Sequence, residues 1–219
     1  MSHLTPTGYD GAFERPMALG DLPANFDPIP PATNTTNTTL AVTAAMVLDN
    51  PVFVRTPAGV STDTYPTAAA LIAAMSAGLG RSDVPKGLSF RWRVINLSAN
   101  LITGAVTANT GATMTRGNIL ASSTKDFQIN ITNGTPARTV AGLSTVNGSA
   151  VVSGFTEADL VLLSTGMVLT NAVANLQGQT ILGINLGAKT VTMSGNANAD
   201  TTLQSLSFSP TYTITGLAA

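Results

Sequence analysis

The segment GLSFRWRVIN, residues 87–96, alternates apolar and polar side chains. Leu88, Phe90, Trp92 and Val94 fall on one side, and Ser89, Arg91 and Arg93 on the other. A period of two belongs to an extended strand with one buried face, because successive side chains point to opposite faces. The segment therefore reads as a half-buried antiparallel strand. KDFQINITNG, residues 125–134, repeats the pattern with Phe127, Ile129 and Ile131 inward and Asn-Gly at its end. PVFVRT at 51–56 reads as a strand opened by an edge-type proline. NLITGAVTANTG at 100–111 reads as a strand and turn, and ARTVAG at 137–142 completes the set. Short strands with turn signals roughly every 8 to 12 residues predict an all-β chain, either a sandwich or a small barrel.

One stretch breaks this rhythm. In STDTYPTAAALIAAMSAG, residues 61–78, Leu71, Ile72 and Met75 recur at helical spacing. Thr64 is a candidate cap, Pro66 suits the first helical position and Gly78 a stop, which predicts a helix over 66–77. Further on, FTEADLVLLSTG opens with Thr156 as a cap and Asp159 at the third helical position, a relative of the capping box. GMVLT, QTILGIN, KTVTMS and TTLQSLSFS are four further strand candidates, with Asn185–Lys189 a tight hairpin connection.

The first 39 residues are of another kind. Six of the twelve prolines fall there, and proline removes backbone donors and fixes φ, so neither helix nor central strand fits. The stretch ends in TNTTNTT, residues 33–39, a low-complexity linker. A solvated tail is the bland reading, but Phe13, Met17, Leu19, Leu22, Phe26 and Ile29 are spread through it. The sharper reading is an extended arm that orders on a partner surface.

Composition excludes several chemistries. The 219 residues contain no cysteine and one histidine, His3 near the terminus. There is no disulfide framework, no thiolate site, and no Ser-His or Cys-His machinery unless His3 serves it. The formal net charge is −1, which argues against sequence-independent nucleic-acid binding. Mean hydropathy is +0.27, yet the longest apolar run, Ala68–Met75, falls far short of the roughly 20 residues of a membrane helix. No signal-peptide pattern opens the sequence, so the expectation is a soluble protein made in a cytoplasm. Thr, Ser and Asn total 65 residues, while charged residues are only 10%, against about 25% in ordinary domains. Residues 143–219 carry only Glu157, Asp159, Lys189 and Asp200, and so little surface charge favours an exterior partly covered by another chain or copy. The charge is also segregated: residues 1–54 sum to −4, residues 55–138 to +5 and residues 146–219 to −2. Complementary segments of that kind set register and association rate.

The polar residues that could carry chemistry read mostly as structural. Asp63, among Ser and Thr before a helix, suits backbone donors better than catalysis. Glu157 and Asp159 lie two apart, so they do not share a helix face, and a helix start explains both. Arg91-Trp92-Arg93 mimics a nucleic-acid patch, but alternation puts Trp92 opposite the arginines, leaving Arg91 and Arg93 free for a protein partner. GNANAD at 195–200 has too few acids for a calcium loop. No catalytic, cofactor or metal residue is assigned.

Two segments resemble known modules. RTPAGVSTDTYPTAAALIAAM and GLSFRWRVINLSANLITGAVTANTGATM lie in a stretch from Arg55 to about Asn133 that resembles a module of tailed-bacteriophage structural proteins. Residues 164–208, from STGMVLTN through KTVTMSGNANAD to LQSLSF, are similar to a short β module of phage virion proteins, with one residue inserted at Gly178-Gln179-Thr180. Together with the proline-rich arm, the resemblance implies a capsid decoration, or cement, protein without enzymatic activity. Such proteins sit as homotrimers over junctions between hexamers of the major capsid protein, on the outer surface of the virion. The expected architecture is an extended arm over 1–39, a jelly-roll-like β-sandwich with one helix over 40–142, and a small C-terminal β domain over 143–219. Phe13, Met17, Leu22, Phe26, Arg91 and Arg93 are the expected partner-binding residues, with no nucleic acid, membrane or cofactor involved. The alternative is a head or tail fibre or spike protein that binds a host-surface receptor or glycan.

Overall fold

The structure, a computed structural model, describes residues 32–35 and 39–218. All of them belong to one unit, Pro31–Ala219. The first nine strands alternate between two sheets as the chain advances. β1 (Ala32–Asn34), β3 (Val52–Arg55), β5 (Ser89–Asn96), β7 (Ala112–Thr115) and β9 (Ser123–Asn133) enter the first sheet. β2 (Leu40–Ala41), β4 (Ser61–Tyr65), β6 (Ile102–Val106) and β8 (Asn118–Ile119) form the second. The first passes each shift one place across, so β1, β3 and β5 lie parallel, as do β2, β4 and β6, whereas β7 enters at the far edge of the first sheet. Only then does the chain reverse, with β8 antiparallel to β6 and β9 antiparallel to β5.

The all-β expectation holds, but the jelly-roll connectivity does not. A jelly roll is antiparallel throughout, whereas this chain winds through parallel ladders. Parallel neighbours need a crossover connection. Here a strand of the opposite sheet supplies it, with α1 (Ala44–Leu48) added before β3 and α2 (Ala68–Leu79) before β5. The strand of residues 87–96 is accordingly antiparallel to β9 on one side and parallel to β3 on the other.

Helix α2 starts two residues later than the sequence pattern suggests. Thr67, not Thr64, is its cap and accepts from the Ala70 amide. Thr64 is still in β4, level with Ala105 of β6, so the strand outcompetes the cap. The helix runs past Gly78 and ends at Gly80, whose φ of +62° is the left-handed conformation glycine tolerates. Ala68, Leu71, Ile72 and Met75 are its buried face, as expected.

The space between the sheets is filled by aromatic rings. Trp92 stacks near Phe53 (5.8 Å between centroids), meets Tyr65 edge-on (5.5 Å) and approaches Phe127 (6.2 Å). Its indole N–H donates to the Asn50 carbonyl at 2.8 Å, so the ring is buried with its polar atom satisfied. Inward alternation also carries a charge into this core. Phe53 and Arg55 share the buried face of β3, and Ser61, Asp63 and Tyr65 share that of β4. Arg55 is fully buried and forks onto Asp63 at 2.8 and 2.7 Å. It also donates to Ser61 Oγ at 2.8 Å and to Asn34 Oδ1 at 3.0 Å. Asp63 therefore serves a buried guanidinium rather than backbone donors at a helix start, which corrects the sequence reading.

After β9 the chain leaves for a second body. β10 (Arg138–Thr145), β11 (Val151–Ser153), β12 (Val168–Leu169), β13 (Ile181–Asn185), β14 (Thr190–Met193) and β15 (Thr201–Ser209) pair in the order β12-β15-β10-β11-β14-β13, all antiparallel. A bridge between Val168 and Thr180, with Leu169 donating to Gln179 and Ile181 to Met167, joins the two ends. The sheet is thus a closed six-stranded barrel, filled by Leu143, Val152, Leu169, Val191, Leu206 and their neighbours. α3 (Glu157–Leu160) starts on a capping box in which Thr156 and Asp159 satisfy each other's backbone.

The last strand, β16 (Thr211–Gly216), returns to the first sheet and lies between β9 and β7. The boundary after Gly142 therefore falls inside β10, whose partners belong to the barrel. The sandwich comprises β1–β9 with β16, and the barrel is inserted between two strands that are neighbours in space. Polar contacts join the bodies at that point. Asn133, at the end of β9, donates to Ser164 Oγ (2.8 Å) and to the Thr165 carbonyl (2.9 Å), and accepts from the Thr135 amide (2.9 Å).

Removing one partner of a buried ion pair strands the other charge. Asp63→Ala is expected to cost roughly 3–5 kcal/mol in urea unfolding. The double change Arg55→Met with Asp63→Leu is expected to cost less than Asp63→Ala alone, because no orphan charge stays behind.

Candidate protein-interaction surface

With Trp92 and Phe127 turned into the core, the residues flanking them must point outward. Register puts Arg91 opposite Gln128 and Arg93 opposite Asp126 on that outer face. The Arg93 guanidinium grips Asp126 with two hydrogen bonds of 2.6 and 2.9 Å. This bond holds the Asp126 carboxyl below its ordinary range, partial burial opposes the shift, and the charges of Arg93 and Arg91 reinforce it. Arg93 remains half exposed, so the pair contributes little to stability. Its effect is geometric: it fixes Arg93 against the sheet as one wall of a groove. That groove, of about 250 Å³, is lined by Pro51, Val52, Arg91, Arg93 and Asp126. Among the described residues Arg91 meets no carboxylate within ion-pair distance. The groove thus offers an apolar strip beside one uncompensated positive charge.

Of the expected partner-binding residues, Arg91 and Arg93 are exposed and share this face. Phe13, Met17, Leu22 and Phe26 lie outside the described residues. Asp126, Pro51 and Val52 were not among those expected. Alternation along β9 already places Asp126 outward beside Phe127, but its pairing with Arg93 depends on register, which a single strand pattern does not contain.

A second concavity, of about 330 Å³, lies where the sandwich meets the barrel. Asn109, Thr113, Thr132, Thr180 and Thr211 supply its polar atoms, and no charged side chain lines it. Four of the other described carboxylates are engaged structurally. Asp63 holds Arg55, Asp83 pairs with Arg81, Asp159 closes the α3 cap and Asp200 accepts from the Asn147 amide. Among the described residues no three His, Cys, Asp or Glu side chains gather in one place, and no helix is long and apolar enough to cross a membrane.

Arg93→Gln is expected to raise the Asp126 titration midpoint toward the ordinary carboxylate range, with a smaller rise for Arg91→Gln, read by NMR of the carboxyl carbon. A depressed midpoint means that the pair's stabilisation is present above the ordinary aspartate pKa. It is lost as pH falls through the lower, folded-state value. Comparison with known protein families, with curated proteins and with solved structures returned no match.

Proposed function

We propose that this protein is a structural virion component that decorates a capsid and cements it by bridging neighbouring major capsid protein subunits. The observation that carries the reading is the union of a sequence-distinct, apolar-studded N-terminal segment with a doubly braced β unit. Residues 1–31 contain Phe13, Met17, Leu22 and Phe26 among six prolines, and they lead directly into β1 at the edge of the first sheet. The described acids mostly serve caps and ion pairs, which suits a mechanical role better than a catalytic one. The barrel exposes Val146, Leu182 and Leu203, the last at 81% exposure, as apolar contacts for a covering surface.

The mechanism is additive binding. Burying an anchor such as Phe13 or Phe26 in a capsid groove is worth roughly 1.5–3 kcal/mol before the segment's ordering entropy is subtracted. Many copies, each spanning a junction, raise the free energy of opening the shell. A homotrimer over each inter-hexamer junction fits the sparse surface charge. The second reading is a fibre or spike protein that binds a host glycan, and the uncharged, hydroxyl-lined cleft at the junction favours it.

Deleting residues 1–31 preserves Asn34 and its bond to Arg55. The truncated protein is expected to keep its unfolding midpoint within a few degrees and to lose co-sedimentation with undecorated capsids. Unchanged co-sedimentation would remove the arm from the mechanism. Glycan-array binding that depends on Thr113 and Thr180 would favour the fibre reading instead.

A further inference from the structure

The groove between Arg91 and Arg93 suits a carboxylate next to an apolar side chain. Arg93 is already forked onto Asp126, so an incoming carboxylate goes to Arg91, and its apolar neighbour goes to the strip formed by Pro51 and Val52. Adjacent acid–apolar pairs occur four times in the N-terminal segment: Tyr9-Asp10, Phe13-Glu14, Asp21-Leu22 and Phe26-Asp27. We infer that the Arg91 groove of one copy takes an acid–apolar pair from the N-terminal segment of a second copy.

Charge and reach support this occupant. Residues 1–31 carry Asp10, Glu14, Asp21 and Asp27 against Arg15 alone, whereas the groove holds two arginines and one aspartate. Asp21 lies eleven residues before Ala32, a span of up to about 36–40 Å when extended, which crosses to a neighbouring molecule. Segment-into-groove contact is heterologous, and repeated around an axis it closes into a ring. Phe13 and Met17, farther from β1, stay available for another surface. The inference needs no capsid and stands independently of the decoration reading.

The chain has no cysteine, so introduced thiols report single positions. Full-length Gln128→Cys protein, its thiol beside Arg91 on the outer face, is mixed with a size-tagged Asn25→Cys copy and mildly oxidised. The mixed disulfide dimer is expected to exceed either self-dimer at least fivefold, and to fall at least fivefold when Arg91→Glu is added to the groove copy. Circular dichroism and the unfolding midpoint of the Arg91→Glu protein verify that it is folded. Absence of the mixed dimer, or a mixed dimer indifferent to Arg91→Glu, overturns the inference. So does a chain bearing both cysteines that closes only on itself.

Discussion

A guanidinium buried between two sheets sets terms that the surrounding backbone must meet. Arg55 reaches Asn34 on β1 and both Ser61 and Asp63 on β4, from its own place on β3. Taking such a charge out of water costs several kcal/mol, and the return depends on several hydrogen bonds made at once in good geometry. A slip of one residue in β3 or β4 would turn Arg55 or Asp63 to the opposite face and break that set. The pair therefore acts as a register pin. It selects one pairing of β1 with β3 and one facing of β3 on β4 among those that hydrophobic alternation alone would accept, and that arrangement brings Phe53 and Tyr65 onto Trp92.

The same logic extends to the barrel. Because β16 fills the gap between β9 and β7, the first sheet is complete only after the whole barrel has been traversed. Most of the sheet's cohesion thus depends on pairings distant in sequence, a topology associated with slow, cooperative folding. At the crossing point, buried Asn133 ties β9 to Ser164 and Thr165, and Tyr212 of β16 donates to the Pro66 carbonyl at the entrance to α2. Burial pushes the Tyr212 hydroxyl well above its usual pKa. The Asn133 bonds tie sandwich to barrel in addition to the two chain connections, while the Tyr212 bond ties β16 to α2 within the sandwich.

Much of the architecture is legible in local patterns. Alternation locates β5 and β9, the spacing of Leu71, Ile72 and Met75 locates α2, and Thr156 with Asp159 locates the α3 cap. Strand direction is not legible, because a period of two is the same for parallel and antiparallel partners. The domain boundary escapes the sequence because TYTITG, the β16 segment, alternates like any strand and carries no mark of which sheet it joins. Arg55 in PVFVRT lies in phase with Phe53, and Asp63 in STDTY in phase with Tyr65, so two in-phase opposite charges are the available signal for the buried pair. On the interaction surface, the outward direction of Arg91 and Arg93 is legible. The Asp126 clamp and the Pro51–Val52 strip are not, since both arise from register and crossover geometry.

Sparse charge, an apolar-studded N-terminal segment and a sandwich tied to its barrel support the proposal of a protein that works by being held between others. The most direct measurement is cryo-electron microscopy of undecorated capsids mixed with the full-length protein. The account predicts density at regular positions between capsomers, with the sandwich and barrel resolved as one body and the N-terminal segment traced onto adjoining subunits. A bare shell, or density confined to the tail or a single vertex, would contradict it.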